Sequence, residues 1–429
     1  MIRLSRWTQI KAGEGRTFGL AFAYFFCLLG GYFVIRPLRE TMGIEGGVRA
    51  LSWLFLGTFC ATIPALLLYG KVASIWPRKK FIPWTYQFFA FNLLAFWLAF
   101  HFDLFPGPTL PRVFFIWTSV YTVFVVSVFW SFMADTFPEE AARRLFPAVA
   151  AGGTCGAFAG SLIAAGLAER WGSINLLWVP MSLLQLAIVF VWLLGQAGSK
   201  PANPQSATKD DLDNETIGGR YFDGLTRIAR SNYLLGICAA VMLDKTLATF
   251  AYFEQAHIVE AAFANRAERT ELFATINLWV QGLTLFFELA IAGRLMRRFG
   301  LRAALFVLPT VCLLGFAGLA LAPGLIAIVV FQVLRRSSSY GFASPARQVL
   351  YTVVDRADRY KAKSAIDTLV FRAADVLGAQ FFNFFRATLS LGMGAIATVA
   401  LPMALLWLWI LNRLAQEQSR RAQTSSPKP

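Results

Sequence analysis

A chain of 429 residues with 57% hydrophobic and 15% aromatic side chains has more apolar surface than a soluble domain of this size can bury. The net charge of +16 would suggest nucleic-acid binding in a soluble protein, but the mean hydropathy of +0.55 indicates lipid as the solvent. The composition excludes a soluble enzyme and a nucleic-acid-binding protein, and membrane lipids are expected partners.

Apolar runs of about 20 residues, long enough to cross a hydrocarbon core of about 30 Å, follow one another along the chain. They are predicted at 17–35, 50–69, 81–102, 111–133, 145–167, 174–195, 232–253, 272–293, 301–321, 324–343, 364–387 and 391–412. The fold class is therefore an all-α membrane protein of about twelve transmembrane helices.

A polar stretch rich in Pro, Ser, Asn, Asp and Lys, residues 196–217, divides the chain near its middle. It predicts an N-terminal six-helix half at 1–195, a cytoplasmic linker at 196–231 and a C-terminal half with a cytoplasmic tail at 232–429. The end of the linker, around Tyr221 and Phe222, is either an interfacial amphipathic helix or the polar lead-in to the seventh span.

The two halves repeat a local pattern after their second spans. GKVASIWPRKK (70–80) and GRLMRRFGLR (293–302) each begin with a Gly at an expected helix end and continue with a basic turn. Both strings resemble the loop motif of the major facilitator superfamily, although Ser74 and Arg297 stand at its acidic position. The resemblance implies two six-helix halves that move a solute by alternating access.

Glycines recur every four residues in the fifth span, at Gly152, Gly156 and Gly160, and predict a helix face that another backbone approaches closely. The five cysteines lie in apolar runs as packing residues, and the two histidines form no metal-ligand cluster. No cofactor, metal or catalytic residue is expected.

Charged side chains inside the predicted spans each need a partner or a watery cavity, because insertion of a charge costs about 2.5–3.5 kcal/mol. In the first span, Gly30, Gly31 and Pro37 are expected to loosen the helix around Arg36, Arg39 and Glu40. Each charge has an alternative structural role, as a snorkelling residue, a helix end or an interhelical ion pair. The candidate substrate-binding residues are Arg36, Arg39, Lys245, Arg335, Arg336 and Arg372, and the candidate coupling or charge-balancing acids are Asp135, Asp244, Glu288, Asp367 and Asp375.

The spacing of these residues leads to two expected pairings and one pair of neighbours that should not interact. Asp244 and Lys245 point about 100° apart on a helix and should not neutralise each other. Glu288 is a possible partner for Lys245 or for Arg335 and Arg336. Arg372 and Asp375 lie three residues apart and can pair on one face.

Three strings together resemble the ATP/ADP translocase family and its bacterial relatives. YFVIRPLRETMG places Arg39 and Glu40 where that family has Lys and Asp, VFWSFMADTFPEEAARRLFP puts Asp135 at an acidic position, and KAKSAIDTLVFRAAD matches at Lys361, Lys363 and Asp367. Two departures count against nucleotide exchange. Thr249 or Phe250 replaces a substrate-linked acid of the family, and Asp375 stands near the position of a family Lys.

The function expected from these features is secondary active transport of a small organic anion, such as a nucleotide or another phosphorylated metabolite, by antiport in a monomer. A non-transporting membrane sensor or scaffold, or a proton-coupled transporter of a neutral solute, is the alternative.

Both termini are expected in the cytoplasm of a bacterium, with the protein in its inner membrane, because most of the 40 Lys and Arg fall in alternate connections on the side of the termini. A cytoplasmic reporter fused after Pro429 should be active, and a periplasmic reporter there should be silent. Periplasmic activity of a C-terminal fusion would overturn the orientation or the even helix count.

Overall fold

A computed structural model describes residues 11, 14–75, 78–137, 139–197, 223–354, 362–363 and 365–425. Lys361 and most of the predicted linker, 198–222, lie outside the described residues, and the side chains of Lys71, Arg78, Lys79, Lys80 and Asp135 are not described. The described chain is helical and contains no strand.

Fourteen α-helices account for most of the described residues. They are α1 (Gly15–Glu45), α2 (Leu51–Ile75), α3 (Arg78–His101), α4 (Thr109–Thr136), α5 (Glu139–Trp171), α6 (Trp178–Ala197), α7 (Asp223–Arg230), α8 (Asn232–Ala262), α9 (Arg266–Phe286), α10 (Gly293–Leu321), α11 (Leu325–Ser338), α12 (Ser344–Leu350), α13 (Phe371–Asn383) and α14 (Met393–Ser425). Short 3₁₀ turns lie at Val48–Ala50, Asn175–Leu177 and Tyr351–Val353.

Eight helical stretches within the described residues are long and apolar enough to cross a membrane. One of them, Arg266–Leu321, has 56 residues and joins α9 to α10. The expectation of a multi-pass membrane protein is confirmed at this level, and the count of about twelve stays a prediction.

Helix α1 continues through the residues that were expected to loosen it. Pro37 has no N–H to donate to the carbonyl of Phe33 one turn earlier, and Thr41 Oγ1 donates a hydrogen bond to the Pro37 carbonyl oxygen at 3.1 Å. The helix is nevertheless continuous from Gly15 to Glu45, so the expected loosening does not interrupt it.

The chain divides into two compact units. Unit 1 comprises 1–50, 60–208 and 263–281, and unit 2 comprises 51–59, 209–262 and 282–429. Two of the boundaries, after residues 59 and 281, fall inside α2 and α9. The predicted division at 195/196 and 231/232 stays a prediction.

The glycines of α5 allow unit 1 to pack α1 and α5 backbone against backbone. A Cβ added at Gly156 would fall on the carbonyl oxygen of Phe26, and one added at Gly160 would fall on that of Gly30. Gly31 on α1 packs in turn against Pro180 of α6, with its Cβ position 3.3 Å away. The packing role predicted for the glycine stripe is confirmed.

The start of α9 belongs to unit 1 because polar contacts join it to the end of α1. Arg266 Nε donates to Glu45 Oε1 at 2.8 Å, and Arg266 Nη2 pairs with the same oxygen. Thr41 and Thr270 share a hydrogen bond of 3.0 Å between their hydroxyls.

Arg144 forms an ion pair that the sequence did not suggest. Its two terminal nitrogens donate to the two oxygens of Glu14 at 2.9 and 2.7 Å. This guanidinium holds the pKa of the Glu14 carboxyl below its usual value. The bidentate geometry is the one in which a guanidinium binds a carboxylate most strongly.

Unit 2 has helices with irregular turns. Segments of π-helix occur at Phe287–Ala292, Ser339–Ala343, Ile366–Val370 and Phe384–Thr388. In the second basic motif the helix continues past Gly293, and the break falls instead at Gly300, whose φ of 77° is a conformation that favours glycine.

Replacing Gly160 by Ala should destabilise the protein by about 1–3 kcal/mol, because the added methyl group would separate α5 from α1. Thermal unfolding in detergent measures the effect. Gly166→Ala is the matched control, since nothing lies within 4 Å of its Cβ position on the same helix. Equal melting temperatures for the two variants would contradict the close packing.

Candidate functional site

Arg39 on α1 lies against α4 in unit 1. Its Nη2 donates to Ser119 Oγ at 3.1 Å, its Nε donates to the Phe115 carbonyl oxygen at 3.3 Å, and its Cζ lies 3.8 Å from the centroid of the Phe115 ring. The hydroxyl, carbonyl and ring fix the orientation of the guanidinium without neutralising its charge.

Glu40 is shared by two arginines. Its Oε1 lies 3.3 Å from Arg39 Nη1 and 3.9 Å from Arg36 Nε, while its buried Oε2 has no hydrogen-bond partner. The side chains of all three residues are at most 18% exposed. Two guanidinium groups thus surround one carboxylate at low exposure, which leaves the local charge positive.

Lys245 pairs with its neighbour on α8 in unit 2. The Nζ atom lies 3.5 Å from Asp244 Oδ2 and 4.6 Å from the centroid of the Phe371 ring. The expectation that these neighbours do not neutralise each other is wrong. The four methylene groups of lysine let the ammonium bend back toward the adjacent carboxylate.

Arg347 on α12 is a residue that the sequence analysis missed. Its Cζ lies 4.8 Å from the centroid of the same Phe371 ring, and its Nε is buried without a hydrogen-bond partner. Arg347 and Asp244 line a cavity of about 40 Å³ in unit 2 together with Trp407. Its position about three helical turns after Arg336 is a signal that could have identified it.

Arg335 on α11 is 8% exposed and has only a neutral hydrogen-bond partner. Its Nε and Nη2 donate to Gln332 Oε1 at 3.3 and 3.1 Å. Neither Arg335 nor Arg347 forms an ion pair within the described part of the chain.

The remaining predicted residues are spread over unit 2 and α4. Glu288 and Asp367 are exposed in π turns, and Glu288 forms no ion pair with Lys245, Arg335 or Arg336 among the described residues. Arg372 and Asp375 lie three residues apart on α13, and the ion pair expected between them stays a prediction. Arg336 is half-buried on α11, and Asp135 lies on α4.

The family model of the Major Facilitator Superfamily matches residues 20–379. The chain belongs to this superfamily. It is therefore a membrane-embedded transporter, which binds a small molecule and lies in lipid.

Relatives and solved structures of this facilitator are distant in sequence. ADP,ATP carrier protein 1 of Chlamydia muridarum is 20% identical over 419 residues, which cover 82% of this chain and 78% of the relative. Its namesake in Chlamydia pneumoniae is 21% identical over 434 residues, covering 83% and 82%.

Among solved structures, a bacterial homologue of the iron transporter ferroportin has a TM-score of 0.66 at 14% identity and covers 93% of this chain and 98% of its own. The nucleoside transporter NupG has a TM-score of 0.62 at 15% identity, covering 94% and 98%. These structures establish the facilitator fold.

Replacing Glu40 by Gln should destabilise the facilitator by about 1–3 kcal/mol, because Arg36 and Arg39 lose a shared carboxylate at low exposure. Thermal unfolding in detergent checks this. Glu417→Gln is the control, since its ion pairs with Arg420 and Arg421 are more exposed and should contribute under about 1 kcal/mol. A larger loss in the control would contradict the role of Glu40.

Proposed function

We propose that this facilitator moves a small organic anion across the inner membrane of a bacterium by alternating access. The proposed architecture has about twelve transmembrane helices in two six-helix halves, with both termini cytoplasmic. It works as an antiporter and as a monomer. The anion binds to the cations described above, and the acids near them balance charge that the anion does not supply.

The observation that carries this proposal is the pair of arginines in unit 2 that have no acidic partner in the described chain. Arg335 is bound only to a neutral amide, and Arg347 has a buried Nε without a hydrogen-bond acceptor. A buried cation without a counter-charge is costly, and a bound anion supplies both the charge and the missing acceptors. Planar guanidinium groups match carboxylate and phosphate oxygens in pairs.

The charged residues of unit 1 also favour a negatively charged solute. Arg36 and Arg39 share Glu40, and Arg39 is otherwise bound to a hydroxyl and a carbonyl. These arginines attract an anion more strongly than Glu40 repels it, because two positive charges surround one negative charge at short range.

A phosphorylated metabolite is the narrower form of the proposal. The carrier relatives from Chlamydia are named for ADP and ATP, which are anions with phosphate groups. Thr249 provides no carboxylate in this chain: its hydroxyl donates to the Lys245 carbonyl at 2.9 Å, and its side chain packs at the Cβ position of Gly378. We therefore place the broader class, organic anions, above nucleotides.

A screen of metabolites by thermal shift identifies a ligand, because a solute that binds the folded state raises its apparent stability. Uptake of that solute is then measured in liposomes. Arg335→Gln and Arg347→Gln should each raise the half-saturating concentration by about tenfold or more, since a hydrogen bond to a charged group contributes about 1.5–3 kcal/mol. Lys245→Gln should have a smaller effect in the same direction because Asp244 already neutralises part of its charge.

Arg420→Gln is the matched control, because the side chain of Arg420 is 76% exposed on the last helix and should leave uptake unchanged. Saturable uptake of a neutral or cationic solute, unaffected at Arg335 and Arg347, would contradict the proposal. Protein that neither binds nor moves any solute would favour a membrane sensor or scaffold.

A further inference from the structure

Glu254 on α8 is an acid that the anion site does not use. It is 1% exposed, and both of its carboxyl oxygens are buried without a hydrogen-bond partner in the described chain. Beside it, the Nε2 of Gln255 is also buried without an acceptor. A buried polar group without a partner costs about 1–3 kcal/mol, so an apolar residue would be the more stable choice here.

Aromatic rings surround this part of α8. Phe250 and Phe253 lie one turn or less from Glu254 and contact Phe382 of α13 at 5.6 and 5.0 Å between ring centroids. Phe55 of the segment 51–59 contacts Phe253 at 5.6 Å. The rings pack the helix face on which Glu254 lies and provide no hydrogen-bond acceptor for a carboxyl group.

No charged group forms a hydrogen bond with the carboxyl of Glu254 among the described residues. The segments 51–59, 303–321 and 393–412 contain no Asp, Glu, Lys, Arg or His, whereas α11, which also packs against α8, carries Arg335 and Arg336 near its end. The ionisable residues on the rest of α8 and on the region 366–388 are Tyr233, Cys238, Asp244, Lys245, Tyr252, His257, Glu260, Asp367, Arg372, Asp375 and Arg386. His257, one turn away, directs its Nδ1 toward the Phe253 carbonyl oxygen at 2.9 Å. None of these groups is a hydrogen-bond partner of the Glu254 carboxyl oxygens in the described chain.

A carboxylate in such surroundings is strongly disfavoured, because an ionised group loses its hydration and gains nothing in return. A proton on the carboxyl removes that cost. Metal cations need several oxygen ligands, and Glu254 has no other polar partner with which to share one. The chemistry of the site therefore selects a proton over a metal ion.

We propose that Glu254 is a proton-binding site that couples proton movement to transport. Water on one side of the membrane supplies the proton to a carboxylate oxygen while Glu254 is hydrated. Burial retains the proton as an O–H bond, and renewed hydration releases it to water on the other side. No electron is transferred and no other bond changes.

Helix α8 links this site to the candidate anion site. Asp244 and Lys245 lie about 14 Å from Glu254 along the same continuous helix. A movement of α8 that alters the hydration of one site therefore alters that of the other. This coupling rests on the proposed anion transport, whereas the proton site itself does not.

Infrared spectroscopy of the full chain in lipid tests the proton site without any solute. The wild type should show the carbonyl stretch of a protonated carboxylic acid at neutral pH, and Glu254→Gln should lose that band. Raising the pH should remove the band, and transfer to D₂O should shift it as the proton exchanges. Glu260→Gln, two turns along α8, is the control that should retain it.

A band that survives in Glu254→Gln, or one that neither titrates nor exchanges with D₂O, would overturn the proposal. Loss of the band on addition of sodium chloride at fixed pH would assign the site to Na⁺ and overturn it as well. If Glu254→Gln does not fold, Glu254→Asp replaces it, and the band should be displaced rather than lost. An unchanged band in Glu254→Asp would also be contrary evidence.

Liposomes then test the coupling with the anion that the metabolite screen identifies. A pH gradient, acidic outside, should drive accumulation by the wild type but not by Glu254→Gln, while exchange of internal for external anion should persist in both. Accumulation by Glu254→Gln equal to the wild type would refute the coupling. A proton band in protein that moves no anion would leave the proton site standing and refute only the anion proposal.

Discussion

The cost of placing charge in a medium that cannot hydrate it determines most features of this transporter. Each charge at low exposure must be paired, oriented by neutral groups or protonated, and the described chain contains examples of the first two. Asp244 pairs with Lys245. Gln332 and Ser119 orient Arg335 and Arg39. Glu254 has neither kind of partner. The charged residues whose charge is not neutralised by an ion pair are the ones for which we propose a role in binding a solute or a proton.

The sequence predicted the features that depend on composition and local spacing. Apolar runs located the helices, and glycines four residues apart in α5 predicted a face for close backbone packing, because both signals arise within one helix. The same reasoning did not identify ion-pair partners where the length of a side chain, or a residue distant in sequence, determines the contact. Lys245 bends back to Asp244, and Arg144 pairs with Glu14, 130 residues earlier in the chain.

Only part of the candidate site could be predicted, because some of its residues are brought into place by the fold rather than marked by local sequence. A charged residue inside an apolar run is visible in the sequence, so Arg39 and Arg335 were identified. Arg347 follows Pro345 in a short helix that does not form an apolar run, and its position over Phe371 depends on the fold. Glu254 lay at the end of a predicted span, and only its burial distinguishes it from an ordinary helix end.

The π turns of unit 2 have a consequence for how its helices can move. A π turn contains one residue more than an α turn. Exchange of one backbone hydrogen bond for another can therefore shift the π turn along the helix. Each such step rotates the intervening residue about the helix axis while the rest of the helix stays intact. The turn at Ile366–Val370 directly precedes Arg372, and the turn at Ser339–Ala343 lies between Arg335 and Arg347. Rotation of the helix at these two π turns can change the direction in which the guanidinium groups point. The helix stays folded and its ends stay in place.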